Sequence, residues 1–473
     1  MKNIHTRAIF ATCLLLAAAA PLAAAELQLP KALPAYGADK PVPVPKIDKH
    51  VLANGMSVWI VADQQGVPKA NFVLAVRGGA AHDPRALNGL SEILAGTLDE
   101  GTKSRSAIQI AQGLQSLGAS LGGSAGEEGT TVSASGLSAN ADRILQLLAD
   151  VARNPTFPDA EVNLAKMNAL QGLKAAKAQP DYQAGVAFDA AVFGNHPYGT
   201  GELTEASIMA VTPEALRELH TRRFRPDRAL LVVTGRVDSA AIADLAKASF
   251  GNWQAAGPAE AEIAAAPTEA APARVFVARA NSVQSAVRIG RPAFAATDPV
   301  RYQADVAETI LGGGFGGRLF QNLREEKGYT YGAYANFGTY RNGGYFQAEA
   351  DVRNEVTGAA IGEFNKELQR MIDEPVGAEE LGRSQRYLAG VYLYRNQLRG
   401  AVAGSLANLW IDGRAPEELG EYTTRIKAVT AAEVQDVARR YFNPKDQSLI
   451  VVGDPSTAGQ LQAFGEFRTV TLN

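Results

Sequence analysis

The sequence predicts an α+β fold built from two homologous halves, each a layer of helices against a sheet. Three observations predict it. First, a helix–turn–strand unit occurs twice at an ungapped offset of 218. Val211-Thr212 leads through a helix to Phe224-x-Pro226, then to Leu230 through Val233 and Gly235; Val429-Thr430 leads through a helix to Phe442-x-Pro444, then to Leu449 through Val451 and Gly453. Second, apolar residues recur with both the helical and the strand period in each half. Third, residues 255–273 between them are rich in Ala, Pro and Glu with no periodic apolar face, the composition of a linker. The domains are therefore expected at 46–254 and 274–473. The period is far longer than a stacking repeat, which excludes a solenoid.

In chain order, residues 1–25 read as a cleaved secretory signal. Lys2 and Arg7 form a basic start, Ala8 to Ala20 an apolar run, and Ala23-Ala24-Ala25 a small-residue cleavage site. The run is too short and alanine-rich for a membrane anchor, and no membrane span is expected. Cys13, the only cysteine, lies inside this segment, so the exported chain is held by its core without disulfides. The net charge of −3 becomes −5 once Lys2 and Arg7 leave, and nothing in that balance points to a nucleic acid. Residues 26–45 carry five prolines and read as an extended arm. The first half opens with strands around Val58 and Ile60 and from Phe72 to Val76, ended by Gly78-Gly79; a long helix is expected around Val162 to Ala178.

The most informative stretch of the second half is Gly312 to Phe337, GGGFGGRLFQNLREEKGYTYGAYANF. A glycine run frees the backbone. A short helix follows, with Leu319, Phe320 and Leu323 on one face and Arg318, Gln321 and Asn322 on the other. Gly328 suits its C-terminus. The period then changes to two, with Tyr329, Tyr331, Ala333, Ala335 and Phe337 on one strand face, and Asn342-Gly343 turns the chain into a second strand. The glycines follow a helix and lack a Gly-Lys-Ser/Thr ending, which excludes a phosphate cradle.

Here the chain resembles the pitrilysin/insulinase/mitochondrial-processing-peptidase family of zinc peptidases. In that family an LREEKG-type run ends the helix, and an arginine is paired with a tyrosine seven residues later, as Arg324 and Tyr331 are. The resemblance covers nearly the whole chain after residue 25. It implies that the two domains form half of a clamshell chamber, which two such chains close.

The departure lies in Gly89 to Thr102, GLSEILAGTLDEGT, which is similar to the family's G-x-A-H-x-x-E-H-x-x-F-x-G-T. Two histidines four apart lie on one helical face and hold zinc, and the glutamate between them acts on the attacking water. Gly89, Leu90, Gly101 and Thr102 keep the register, but the ligand positions hold Glu92 and Gly96 and the base position Ala95. The family's third ligand, a later glutamate, falls by register at Gly172, beside Gln171 and ahead of Pro180-Asp181-Tyr182. A catalytic zinc needs three protein ligands, so no cofactor is expected in this chain. His50, His82, His196 and His220 offer no pair at helical spacing.

Arg324 and Tyr331 have an ordinary reading too, as a helix-end cation and a strand tyrosine. The resemblance implies more: the pair reaches substrate held at zinc. There the phenol donates to the oxyanion that develops as a peptide carbonyl is attacked, and the guanidinium holds substrate carbonyls or orients that tyrosine. Gly312, Gly313, Gly314, Gly316 and Gly317 are expected at the peptide, and exposed strand edges would pair with it. The expectation is a periplasmic, non-catalytic subunit. Its partner is a homologous chain with an intact H-x-x-E-H that carries the zinc, and the complex cleaves peptides. The alternative is an inactive pseudo-peptidase that binds peptides or serves assembly without such a partner.

Overall fold

The structure is a computed structural model that describes residues 45–470. The expected signal segment with Cys13, and all of the proline-rich arm but Pro45, lie outside the described residues. None of the described helices is long and apolar enough to cross a membrane.

The first half runs β1 (Asp48–Val51), β2 (Ser57–Ala62), β3 (Lys69–Arg77), α1 (Leu90–Gly96), α2 (Ala107–Leu117), β4 (Ser120–Ala125), β5 (Gly129–Leu137), α3 (Ala141–Arg153), α4 (Asp159–Lys177), α5 (Pro180–Phe193), α6 (Glu205–Ala210), α7 (Pro213–Arg223), β6 (Ala229–Gly235) and α8 (Ser239–Phe250). The second runs β7 (Arg274–Ala278), β8 (Gln284–Ala293), α9 (Arg301–Gly312), a π-helical segment (Phe320–Glu326), β9 (Thr330–Tyr340), β10 (Gly343–Arg353), α10 (Thr357–Asp373), α11 (Ala378–Arg395), α12 (Arg399–Ile411), α13 (Glu418–Ala428), α14 (Ala431–Tyr441), β11 (Ser448–Gly453), α15 (Ala458–Leu461) and β12 (Arg468–Val470).

Each half holds a six-stranded sheet, in the orders β1-β2-β6-β3-β5-β4 and β12-β7-β11-β8-β10-β9. The repeat visible in the sequence is thus a repeat of topology: β2 and β6 pair in parallel as β7 and β11 do, with antiparallel neighbours inward. On one face of the first sheet, Val58, Ile60, Phe72 and Leu74 pack with Ile144, Leu148 and Phe250; in the second, Val287, Ile289 and Phe346 pack with Ile310, Phe364 and Leu368.

The opposite faces are covered by exchange. Trp59, Val61, Val73 and Val232 of the first sheet lie under Val402, Ala403 and Leu406 of α12, a helix of the second half. Val275, Val277 and Val452 of the second sheet lie under Ala184, Phe188 and Val192 of α5, a helix of the first half. Glycines in the strands admit these helices. A Cβ on Gly290 of β8 would lie 2.8 Å from the Phe188 ring, and one on Gly129 of β5 would lie 2.4 Å from Ile411.

Residues 254–273 carry no helix or strand, yet they are pinned. Arg223, fully buried, donates to both carboxylate oxygens of Glu260 at 2.8 and 3.1 Å; Arg225 donates to the Gly257 carbonyl, and the Ala266 N–H to the Asn342 carbonyl. The β9–β10 turn differs from the expected Asn342-Gly343. Gly343 already pairs with Tyr340, so Arg341 and Asn342 make the turn. The glycine serves contact instead, since a Cβ there would lie 2.5 Å from Cβ of Ala266.

Candidate functional site

The segment after α9 is built to hold Arg324 against Tyr331. Residues 320–326 wind as a π-helix, with the Lys327 N–H donating to the Asn322 carbonyl five residues back. Asn322 is not on an exposed polar face as expected. It is buried, and its amide donates to Glu363 at 2.8 Å and Glu367 at 2.7 Å on α10. Arg318 forms a two-pronged bond to Glu380 of α11, at 2.9 and 2.8 Å. Gly328, at φ +64°, ends the segment in the left-handed region and sends the chain into β9.

Tyr331 does not share the core face with Ala333 and Ala335. Ala333 pairs with Ala350 but Thr330 pairs with Val352, so β9 carries one extra residue there. This bulge turns Tyr331 outward, and its side chain is 80% exposed. The Thr330 hydroxyl stabilises the bulge, bonding to the Asp351 carbonyl at 2.6 Å and accepting from the Gly332 N–H at 3.1 Å.

Arg324 lies between two rings, 4.7 Å from the centre of Phe320 and 4.4 Å from that of Tyr331. It also donates to the Tyr331 main-chain carbonyl at 3.0 Å. Among the described residues, no partner engages the Tyr331 hydroxyl. The pair is therefore assembled through ring and backbone, leaving the phenol free as an outward donor.

The glycines separate into two groups. Gly313, Gly314, Gly316 and Gly317 line a cavity of about 550 Å³ with Tyr334, Arg383 and Tyr387. Gly312 does not line it; it is buried, and a Cβ there would lie 2.5 Å from the Ala335 nitrogen, so its lack of a side chain lets α9 lie on β9. Tyr331 and Tyr334 border a second cavity of about 260 Å³, with Asp181, Arg288, Glu349 and Asp351. Burial pushes the Asp351 carboxyl up. Sequence reading missed Tyr334, Arg383 and Tyr387, because nothing local marks a tyrosine on α11 as a neighbour of glycines that follow α9.

In the first half, Glu92, Gly96 and Gly172 border one cleft of about 510 Å³ between α1 and α4. The structure thus brings together three of the four positions that correspond to the resembling family's zinc site. Ala95 is buried. The donors do not fit a zinc ion: of these positions only Glu92 has a ligating side chain. Among the described residues, no three His, Cys, Asp or Glu side chains converge as a metal site requires. His220 donates a ring N–H to the Ala152 carbonyl, and burial lowers it to about 4.

Residues 59–203 match the family model described as insulinase (peptidase family M16), and residues 210–388 match the one described as the peptidase M16 inactive domain. An uncharacterized zinc protease of Streptomyces coelicolor is 24% identical over 412 residues, covering 86% of this chain and 89% of the relative. One of Mycobacterium leprae is 26% identical over 419 residues, covering 84% and 89%. Among solved structures, a peptidase M16 inactive domain from Pseudomonas fluorescens has a TM-score of 0.79 at 24% identity, covering 86% of this chain and 98% of that one. A protease from Helicobacter pylori has a TM-score of 0.80 at 17% identity, covering 87% and 100%. These two likenesses bear on the fold.

Proposed function

The chain belongs to the insulinase family of peptidases, family M16, and from that premise we propose that it is the non-catalytic subunit of a periplasmic heterodimeric zinc peptidase. Its partner is a homologous chain with an intact H-x-x-E-H, and that chain carries the zinc. One observation carries the reading. The metal positions Glu92, Gly96 and Gly172 and the base position Ala95 hold no workable site, while Arg324 and Tyr331 are assembled and presented to solvent.

In this reading the Tyr331 hydroxyl donates to the oxyanion that forms on the attacked peptide carbonyl. Arg324 keeps the ring in place and offers its remaining N–H groups to substrate carbonyls. β9 is the outermost strand of its sheet, and the cavities on either side of Tyr334 can take the side chains of a bound peptide.

The test is to purify the exported chain alone and mixed with its homologue, then measure zinc content and peptide hydrolysis. The expected outcome is no stoichiometric zinc and no hydrolysis for the single chain, and chelator-sensitive hydrolysis for the mixture. Hydrolysis by the single chain overturns the proposal, and a mixture that forms no complex favours a peptide-binding module.

A further inference from the structure

We propose that the cleft between α1 and α4 is a peptide subsite in its own right, taking a large apolar side chain flanked by a positive charge. The proposal goes beyond the subunit reading and needs no partner.

The cleft, about 510 Å³, is of the size that binds small molecules and single side chains. Its walls are apolar, with Ile93, Leu173, Leu203 and Ile208 among them. The glycines keep it open rather than serving close packing. A Cβ at Gly96 or Gly172 meets nothing within 4 Å, in contrast to Gly123, where a Cβ would lie 2.2 Å from the Ala95 carbonyl.

The repeat adds an independent observation. α1 and α4 correspond in order to α9 and α11, and Thr309 of α9 with Arg383, Ser384 and Tyr387 of α11 borders the cavity of about 550 Å³, together with the glycine segment and Tyr334. In both halves, then, an open cavity lies beside the corresponding helices rather than a filled or collapsed core.

Charge selects the occupant. Glu92 is the one charged side chain among the lining residues. Burial, and then the carboxylates of Glu202 and Glu92, raise the phenol of Tyr182, which also borders the cleft. An apolar wall below a negative rim favours an apolar group carried beside a cation. The neighbouring residue Asp181 borders the cavity of Tyr331, so the start of α5 separates the two.

The experiment is fluorescence anisotropy with the exported chain and a dansyl-labelled Gly-Ser-Leu-Lys-Ser-Gly peptide, compared with versions in which Ser replaces Leu or Glu replaces Lys. Wild type is expected to prefer the Leu-Lys peptide over each by about tenfold or more, the scale of one apolar pocket contact. Gly172→Leu, which fills the cleft, is expected to lose the preference for Leu. Glu92→Gln, an exposed change that leaves folding alone, is expected to lose the preference for Lys over Glu and keep that for Leu. The proposal is overturned if wild type shows no preference, or if both variants retain both preferences. Hydrolysis is not read, so failure of the subunit reading leaves this result intact.

Discussion

The guanidinium of Arg324 sits 4.4 Å from the centre of the Tyr331 ring and donates to that residue's own carbonyl, while the Tyr331 hydroxyl points to solvent. Removing the hydroxyl and removing the guanidinium should therefore have different effects. Tyr331→Phe keeps the ring for Arg324 and loses only the donor. Turnover of the mixed complex is expected to fall by about a hundredfold to a thousandfold, with complex formation unchanged on sizing. Arg324→Ala should also raise KM, since it removes a charge and frees the ring. Full activity in both mutant complexes would remove the pair from catalysis.

The bulge that aims Tyr331 depends on one hydroxyl. Thr330→Val keeps the shape of the side chain but loses the bonds to Asp351 and Gly332. Thermal unfolding should show a loss of about 1 kcal/mol. Activity of the complex should fall further than that figure explains, because the tyrosine is no longer held outward.

Rebuilding the metal site should require every ligand position. Glu92→His, Ala95→Glu and Gly96→His together leave zinc two histidines and no third ligand, so metal analysis should find no tight zinc. Adding Gly172→Glu completes the set across the cleft, where a new side chain at Gly96 or Gly172 has open space. A zinc-dependent rise in melting temperature should appear only with the fourth change. Tight zinc in the triple variant would place the third ligand elsewhere.

Asp189 of α5 makes stability depend on pH. Burial, and then the charge of Glu127, push its carboxyl up to about 7, against an opposing pull from Arg288. Its folded pKa is thus above the unfolded value near 4, so the folded state holds the extra proton. That contribution is fully present below about pH 4 and is lost as pH rises through about 7. Asp189→Asn is expected to flatten the fall in melting temperature between pH 5 and pH 8. A variant whose melting temperature falls as steeply as that of wild type would show that Asp189 titrates at its ordinary value in the fold.

Phe188 tests the exchanged packing. It is fully buried between α5 and the second sheet, and Phe188→Ala should cost about 3–5 kcal/mol. Unfolding should remain a single transition, because neither sheet is complete without a helix from the other half. Two separate melts would mean that the halves are independent.

What the sequence revealed and what it concealed follow from the range of the interactions. The 218-residue offset exposed the two halves because a helix, a turn and a strand recur as local patterns. Glu92, Gly96 and Gly172 were legible as one group from register alone, and the cleft brings them together. The face of Tyr331 was not legible. Strict alternation places it with Ala333, and the bulge that breaks alternation arises from pairing with β10 and the Thr330 hydroxyl. Asn322 looks like a surface residue by helical spacing, but two glutamates on α10 draw it inward. The exchange was hidden because α5 and α12 are apolar on nearly all sides, so their spacing marks neither a sheet-facing stripe nor which sheet they cover. The offset that relates them, residues 180–193 to 398–411, was nevertheless available.

The exchange of α5 and α12 also sets an order of events during synthesis. The last strand of the first sheet ends at Gly235, but the helix that covers Trp59, Val61 and Val73 ends about 175 residues later, at Ile411. At elongation rates of 5–20 residues per second, that apolar sheet face waits roughly 9–35 s for its cover. A nascent chain in that interval presents bare β-surface and depends on holding factors to stay soluble. Truncation anywhere between those two points leaves a sticky fragment rather than a smaller stable protein.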